Sequence, residues 1–271
     1  MAARGGDVMD GGDVMGDGML DFGDQVVLVT GASSGIGAAV AEGFAGLGAR
    51  VVVHYNRNRE GAEKVVSAIQ EAGGTATSAA ADLAEPAAAA ALVDGVVSRH
   101  GRLDVLVNNA GDLLHRIPIT DMSDEDFARV MDINLTSVFA TSRQAIPVMR
   151  GQGAGSIVNV TSVAARTGGA GGSVAYATSK GAVSTFTRGL AKELATDGIR
   201  VNAVAPGIIT TPFHERHTSD AQMDAMVSGI PMGRPGRPDE CVGAVLFLSS
   251  PAMSGYITGQ VLEINGGQLT P

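Results

Sequence analysis

Short apolar runs alternate along most of the chain with longer segments of helical periodicity. The runs that predict strands lie at residues 25–30, 50–55, 75–83, 103–111, 155–162, 199–207 and 260–266. Apolar residues at helical spacing predict helices between them, the first three at residues 38–48, 59–74 and 86–101, each ending on glycine. Apolar strands alternating with helices indicate an α/β fold, a parallel sheet of about seven strands with helices on both faces.

The alternation predicts one domain over residues 21–271, since no change in composition divides that stretch. The preceding residues 1–20 differ, being rich in Gly and Asp and repeating GGDVM. Such a segment has too few apolar residues to form a core, so a disordered tail is expected. Met9, Met15 and Met19 are each plausible starts of the structured protein, and a functional acidic arm is the alternative.

Composition narrows the function classes. The chain has 271 residues and a net charge of −9, which disfavours a nucleic-acid-binding surface. The single cysteine, Cys241, excludes an intrachain disulfide, fits a reducing cytoplasmic setting, and lies in an apolar run typical of the core. No apolar stretch predicts a membrane span, and no His/Cys cluster predicts a metal site.

Ligands of parallel sheets bind beyond the carboxyl ends of the strands. After the first strand comes TGASSGIG, in which Gly31, Gly35 and Gly37 separate a strand from a helix. Glycines there permit a tight turn and let backbone N–H groups approach a pyrophosphate at the helix N-terminus. The spacing differs from the common G-x-G-x-x-G fingerprint, so an unliganded glycine turn is the alternative.

Tyr176 and Lys180 lie four residues apart in YATSK. On a helix this spacing places a phenol and an ammonium on one face, either as a reactive pair or as an ordinary solvated face. In a reactive pair the lysine charge would favour the phenolate and lower the pKa of the tyrosine, but the spacing alone leaves both possibilities open.

Other motifs follow the remaining strands: NNAG at 108–111, a strand ending at Ser162, and APG at 205–207. Together with TGASSGIG and YATSK, over essentially residues 24–271, they resemble the short-chain dehydrogenase/reductase family. The resemblance implies a single Rossmann-type doubly wound sheet and an enzyme that interconverts a carbonyl and a secondary alcohol with a nicotinamide cofactor.

The resemblance also implies the roles of four residues. Tyr176 is expected to be the general acid/base, and Lys180 to assist it and hold the nicotinamide ribose. Ser162 is expected to bind the substrate oxygen, and Asn134 to anchor a water that connects Lys180 to solvent. Asn108 is expected to brace the central strands.

The resemblance also implies which residues contact the cofactor. The residues concerned are Gly31, Ser33, Ser34, Gly35, Ile36, Gly37, Tyr55, Asn56, Arg57, Asp82, Leu83, Asn109, Ala110, Gly111, Tyr176, Lys180, Pro206, Gly207, Ile209 and Thr211. Tyr55 stands where an acidic residue selects NAD, and Arg57 and Arg59 follow it. The absent carboxylate and the nearby arginines predict NADP(H), while NAD(H) is the alternative because Ser34 replaces a basic residue common in NADP-using relatives.

Three loops are candidates for substrate selection: 111–121, 163–175 and a mobile lid near 207–232. His115, Arg116, His214, Arg216 and His217 form a basic mouth suited to a carboxylate or phosphate, or are solvated charges. The substrate is expected to be a small keto-sugar, keto-acid or other ketone.

Two alternatives remain open. The first is 3-oxoacyl-carrier-protein reductase, which Gly153 and Asp197 disfavour because they stand at positions matched to carrier-docking arginines. The second is a catalytically weak nucleotide-sensing or scaffold protein, which the intact set Asn134, Ser162, Tyr176 and Lys180 disfavours. The resemblance further implies a homotetramer.

Overall fold

A computed structural model describes residues 20–270. The tail predicted at residues 1–20 therefore lies outside the described residues, apart from Leu20. No helix among the described residues combines the length and hydropathy needed to cross a membrane.

Seven strands form one parallel sheet in the part of the chain that the structure describes. They are β1 (Val26–Val29), β2 (Arg50–Tyr55), β3 (Thr75–Ala80), β4 (Val105–Asn108), β5 (Gly155–Val160), β6 (Ile199–Pro206) and β7 (Val261–Ile264). Their order across the sheet is β3-β2-β1-β4-β5-β6-β7, and every neighbouring pair is parallel. The predicted α/β fold, with its doubly wound sheet, is confirmed.

Helices cover both faces of this sheet. They are α1 (Gly35–Gly46), α2 (Arg59–Glu71), α3 (Pro86–His100), α4 (Asp124–Met131), α5 (Ser137–Gln152), α6 (Ala164–Thr167), α7 (Val174–Leu194), α8 (Pro212–His217), α9 (Asp220–Val227), α10 (Val242–Ser249) and α11 (Pro251–Ser254). A π-helical turn, Asp132–Thr136, joins α4 to α5. Short 3₁₀ turns lie at Ala195–Asp197 and Pro238–Cys241.

Several elements differ in length from the sequence prediction. The strand predicted at 103–111 forms only over Val105–Asn108, because the N–H groups of Asn109 and Ala110 donate to the Thr30 hydroxyl instead of continuing a ladder. Helix α1 starts at Gly35 rather than at residue 38, since glycines give no apolar periodicity to mark a helix start.

The core lies on both sides of the sheet. On one face Phe22 and Phe44, both fully buried, meet edge to face with centroids 4.8 Å apart. The other face packs Leu103, Met149 and Leu194. Burial of each such side chain stabilises the fold by roughly 1.5–3 kcal/mol. Cys241 is fully buried, which confirms its prediction as a core residue.

Asn108 braces the centre of the sheet as predicted. Its amide donates to Asn159 Oδ1 (2.9 Å) and to Ser142 Oγ (3.2 Å), and its Oδ1 accepts from Thr141 (2.7 Å). Asn159 in turn donates to Thr187 on α7. A buried polar network with its partners in place fixes β4, β5, α5 and α7 in one arrangement, which positions the helix that carries Tyr176.

Candidate active site

A cleft of about 740 Å³ opens at the carboxyl ends of the strands. It lies where the strand order reverses between β1 and β4, the position at which open α/β sheets bind ligands. Its volume is within the range of small-molecule and cofactor sites. The cleft has a glycine-turn end and a tyrosine end, and helix α8 borders the tyrosine end.

The glycine turn leads from β1 into α1. Gly31 has a φ of +63°, and a Cβ there would lie 2.8 Å from the Cα of Ala110, so the turn needs glycine at that position. Ser34 is the N-cap of α1 but its side chain makes no capping hydrogen bond. The first-turn N–H groups of α1 are therefore left available for an anionic ligand.

Thr30 and Asn109 lock two loops together beside this turn. The Thr30 hydroxyl accepts from the N–H groups of Asn109 (2.9 Å) and Ala110 (3.0 Å). The Asn109 amide donates back to the carbonyl oxygens of Thr30 (2.8 Å) and Gly31 (3.0 Å). The NNAG and TGASSGIG motifs thus form one rigid wall of the cleft.

His54 completes that wall and was not singled out from the sequence. Its Nδ1 accepts from the Gly31 N–H (3.0 Å) and its Nε2 donates to the Ala81 carbonyl (3.1 Å), a pattern that needs the neutral ring. Burial lowers the pKa of His54 to about 4. The sequence signal that could have identified His54 is a polar residue within an otherwise apolar, buried strand.

The far end of the cleft contains Arg57 and the ion pair between Asp82 and Arg129 (3.1 Å). Arg59 does not line the cleft and instead pairs with Glu63 (2.6 Å) one turn along α2. Arg57 has no carboxylate within 4.0 Å among residues 20–270. Of the two arginines considered for cofactor selection, Arg57 is the one free to meet a ligand.

At the tyrosine end, α7 presents Tyr176 and Lys180 on one face, and Ser162 follows β5. The Ser162 hydroxyl accepts from the Ala164 N–H (3.1 Å) and lies near enough to the Tyr176 phenol to lower its pKa. Lys180 Nζ donates to the Val160 carbonyl (2.9 Å) and lies 5.7 Å from the centroid of the Tyr176 ring. The three side chains therefore meet at the bottom of the cleft.

The pKa of Tyr176 differs from the sequence prediction. Burial raises it to about 12, which outweighs the lowering effect of the Ser162 hydrogen bond, and the charge of Asp112 raises it further. Burial also lowers the pKa of Lys180 to about 8. The prediction considered the lysine charge alone, whereas loss of water from both groups is the larger effect here.

Asn134 lies behind this group, within the π-helical turn. It is fully buried, and its Nδ2 donates to the carbonyls of Asp112 (2.7 Å) and Val130 (2.9 Å). Its Oδ1 has no partner among the described residues, and a Cβ on Gly111 would lie 2.6 Å from that oxygen and 3.0 Å from Lys180 Nζ. The unpaired oxygen marks a place for a further hydrogen-bond donor, such as a water.

Helix α8 lies over the tyrosine end of the cleft, within the segment predicted as a lid, and is referred to as the lid. Its Phe213 ring lies 5.7 Å from the Tyr176 ring, and its His217 Nε2 lies 2.7 Å from Asp112 Oδ1. Arg116 Nε donates to the His217 carbonyl (2.6 Å). The lid therefore rests on the loop after β4 and on the reactive tyrosine itself.

The cleft brings most of the predicted site residues together. Those lining it are Gly31, Ser33, Ser34, Gly35, Ile36, Asn56, Arg57, Asp82, Leu83, Asn109, Ala110, Gly111, Ser162, Tyr176, Lys180, Pro206, Gly207, Ile209 and Thr211. Gly37, Tyr55 and Asn134 are not part of the lining. Tyr55 packs against the apolar core instead, and Gly37 lies against Gly31 and Asn109.

Several further lining residues were not singled out individually, in addition to His54. They include Asp112, Arg129, Phe213 and Gln268. Asp112 directly follows the NNAG motif, which is a usable signal. The others reach the cleft from α4, the lid and the chain end, and only the tertiary fold brings them there.

Comparison with known proteins agrees with this geometry. The family model described as enoyl-(acyl carrier protein) reductase matches residues 31–268. A 3-oxoacyl-[acyl-carrier-protein] reductase of Synechocystis is 39% identical over 90% of this chain and 97% of that protein. The chain belongs to the short-chain dehydrogenase/reductase family.

A second relative, cis-4-hydroxycyclohexanecarboxylate dehydrogenase of Sinomonas cyclohexanicum, is 39% identical over 91% of this chain and 97% of that protein. Among solved structures, a candidate NAD(P)-dependent gluconate 5-dehydrogenase of Beutenbergia cavernae contains NADP at low occupancy. It superposes with a TM-score of 0.86 at 37% identity, over 93% of this chain and 99% of that one.

An NADH-dependent reductase responsible for alginate metabolism superposes with a TM-score of 0.85 at 36% identity. It covers 93% of this chain and 100% of that one. This short-chain dehydrogenase/reductase is thus an NAD(P)-dependent oxidoreductase.

Proposed function

We propose that this enzyme uses NADP(H) to interconvert a carbonyl group and a secondary alcohol in a small ketone, keto-acid or keto-sugar, with Tyr176 as the general acid/base. One observation carries the proposal: Ser162, Tyr176 and Lys180 meet at the end of a cleft whose other end is an uncapped glycine turn. The roles below follow from that arrangement.

The cleft fits a dinucleotide. The open N–H groups at the start of α1 suit a pyrophosphate, and the Asp82 and Arg57 end suits the adenosine part. Pro206, Gly207, Ile209 and Thr211 would hold the nicotinamide end. When bound, the nicotinamide supplies or accepts the hydride.

In the reductive direction, Tyr176 donates its phenolic proton to the carbonyl oxygen as a hydride reaches the carbonyl carbon, so ketone, hydride and proton together give the alcohol. At neutral pH the phenol carries its proton, and the alkoxide oxygen that develops as the hydride arrives is basic enough to accept it. Ser162 would donate a hydrogen bond to the same oxygen and stabilise its developing charge. The proton on Tyr176 must then be restored.

Lys180 and Asn134 are the proposed route for that restoration. Lys180 is 3% exposed, so solvent does not reach it freely. The unpaired Oδ1 of Asn134 lies next to it across Gly111, where a water would connect the lysine to the outside. Lys180 would also hold the nicotinamide ribose through its remaining N–H donors.

The NADP(H) preference is part of the proposal and rests on Arg57. It is exposed, lines the cleft beyond β2, and forms no ion pair within 4.0 Å among the described residues, although its charge contributes to lowering the pKa of Asp82. A guanidinium without an ion-pair partner suits a 2′-phosphate. The strand end carries Tyr55 in place of a carboxylate, and a carboxylate would repel that phosphate.

A small substrate is favoured over an acyl carrier protein. At the two positions matched to carrier-docking arginines the chain has Gly153 and Asp197, and Asp197 pairs with Arg150 (2.6 Å). This pair offers an acidic carrier no net positive charge. The alternative calls for a direct comparison, because two of the similar proteins carry that carrier in their names.

A homotetramer is proposed as well. Phe139, Phe127 and Val174 are 43%, 39% and 49% exposed on α5, α4 and α7, and such side chains favour contact with another subunit. Light scattering of the purified protein tests this. A cytoplasmic location stays a prediction from the single cysteine.

The reaction is tested by following the loss of NADPH and NADH absorbance with a panel of ketones, keto-acids, keto-sugars and a 3-oxoacyl-carrier protein. We expect reduction of at least one small ketone class, faster with NADPH. Activity on the carrier substrate alone would support the carrier alternative, and activity only with NADH would contradict the cofactor assignment.

A further inference from the structure

Arg116 lies in the wall of the cleft between the loop after β4 and the lid. Its Nε donates to the His217 carbonyl (2.6 Å) and its Nη1 to the Gly171 carbonyl (3.2 Å). Both acceptors are uncharged, and no carboxylate within residues 20–270 lies within 4.0 Å of this guanidinium. The side chain is thus fixed in direction, and N–H donors on its terminal nitrogens are still free.

The positive charges of two other arginines that line the cleft are balanced by nearby carboxylates. Arg129 pairs with Asp82 (3.1 Å), and Arg216 Nη1 lies 3.6 Å from Asp112 Oδ2. Burial lowers the pKa of Arg116, with no anionic neighbour acting against that shift. Partial burial of a charge without a counter-charge is unfavourable. The protein is therefore expected to be more stable with an anion bound to the Arg116 guanidinium than without one.

The charges around the lid also do not balance. Two guanidinium groups, Arg116 and Arg216, border this part of the cleft, and Asp112 is the carboxylate that faces them. Asp112 is already engaged by His217 (2.7 Å). In a chain of net charge −9, the substrate end of the cleft therefore carries about one surplus positive charge, from a simple count of its ionised side chains.

His214 adds a polar group to the same wall. Its Nδ1 lies 3.0 Å from Thr218 Oγ1, and its Nε2 has no hydrogen-bond partner among the described residues. The ring lies on the lid beside Phe213, whose own ring contacts Tyr176. Arg116 and His214 therefore lie on the lid side of the space above the tyrosine, within the same cleft.

We propose that Arg116 is a specificity residue that binds a carboxylate of the substrate, while the carbonyl of the same molecule lies at Ser162 and Tyr176. The proposal rests on the proposed carbonyl reductase function and narrows its substrate class to small keto-acids and hydroxy-acids. A carboxylate suits this position because its single negative charge matches the surplus charge, and the guanidinium fork binds it through parallel N–H donors. His214 lies where it adds a hydrogen bond to the bound acid or to a neighbouring hydroxyl.

Binding tests the subsite without turnover. The probes are cyclohexanecarboxylate and cyclohexanecarboxamide, of nearly equal shape, titrated by calorimetry into the protein saturated with NADP⁺. We expect the acid to bind about 10- to 100-fold more tightly than the amide, the usual range for a charge-assisted pair. In Arg116→Gln this ratio should fall to about one, and in Arg116→Lys it should fall only in part.

Arg216→Gln is the matched control. It removes a positive charge from the same cleft, but one that is largely exposed and already near Asp112. The acid-to-amide ratio should change by less than about five-fold, as for an exposed charge. Equal binding of acid and amide to the wild type, or an equal loss in both arginine variants, would overturn a direct contact at Arg116.

Measurements of turnover distinguish the carboxylate subsite from the reductase function on which it rests. The substrates are 4-oxocyclohexanecarboxylate and its carboxamide, and the measure is the ratio of their kcat/KM values. A ratio above about 10 that Arg116→Gln removes supports the carboxylate subsite. Reduction of both ketones at equal rates overturns the subsite and leaves the reductase function standing. Tight binding of the acid through Arg116 without reduction of either ketone supports the subsite and counts against reduction of this ketone class.

Discussion

The Nδ1 atom of His54 lies 3.0 Å from the backbone nitrogen of Gly31 and accepts its hydrogen. The same ring donates through Nε2 to the Ala81 carbonyl, next to Asp82. A neutral imidazole on β2 thus joins the glycine turn to the loop after β3. Protonation would place a second donor against the Gly31 N–H, so the charged ring cannot make the same contacts.

Acid should therefore destabilise the protein through His54. Its pKa is about 4 in the folded protein, against 6.5 ordinarily. Between these values the unfolded chain binds a proton that the folded chain does not, so stability falls as pH falls from 6.5 towards 4. The full effect is about 3 kcal/mol at 1.36 kcal/mol per pKa unit.

The measurement is the free energy of unfolding by urea at several pH values in that range. His54→Asn, whose amide can both donate and accept, should show a flatter dependence on pH than the wild type. His115→Asn changes an exposed histidine and should leave the slope as it is. Parallel curves for the wild type and His54→Asn would contradict this account.

Tyr176→Phe should abolish most of the activity. It keeps the ring that packs against Phe213 but removes the transferable proton, so we expect kcat to fall at least about 100-fold with NADPH binding largely kept. Tyr256→Phe removes the same atom from a fully exposed tyrosine and serves as the control. Turnover near that of the wild type in Tyr176→Phe would exclude the phenol as the general acid.

The pH dependence of activity at alkaline pH should distinguish the role of Lys180 from that of Tyr176. Burial lowers the pKa of Lys180 to about 8, whereas Tyr176, at about 12, keeps its proton well beyond that point. If the ammonium is required, kcat/KM for reduction declines as pH rises through about 8, by up to about ten-fold per unit. Lys180→Arg stays charged there and should lose this decline, even with a lower rate. A wild-type profile that stays level to about pH 10 would show that the lysine charge is not required.

The sheet and much of the cleft could be predicted from the sequence, for a physical reason. Buried parallel strands are continuously apolar, so their runs are visible, and ligand-binding residues must follow their carboxyl ends. Gly31, Ser162 and Arg57 lie where that rule predicts and line the cleft. Their positions depend on local chain geometry, which sequence order preserves.

Other features depend on contacts that sequence order does not contain. Phe213 and Gln268 reach the cleft only because the lid and the chain end fold over it. The raised pKa of Tyr176 results from its burial together with Asp112, a residue 64 positions earlier in the chain by their numbers. The π-helical turn around Asn134 leaves no mark in hydrophobic periodicity.

Arg57→Ala should weaken NADPH and leave NADH nearly unchanged. A guanidinium on a 2′-phosphate makes charge-assisted hydrogen bonds worth about 1.5–3 kcal/mol, or roughly 10- to 100-fold in Kd. Because Arg57 is exposed, rising salt should weaken NADPH more than NADH. Arg59→Ala is the matched control, since Arg59 pairs with Glu63 and lies outside the cleft lining, and it should alter neither Kd. The Kd values of both cofactors can be measured by fluorescence titration. Phosphate recognition by Arg57 would be excluded if Arg57→Ala weakened NADPH and NADH equally, or if the wild type preferred NADH.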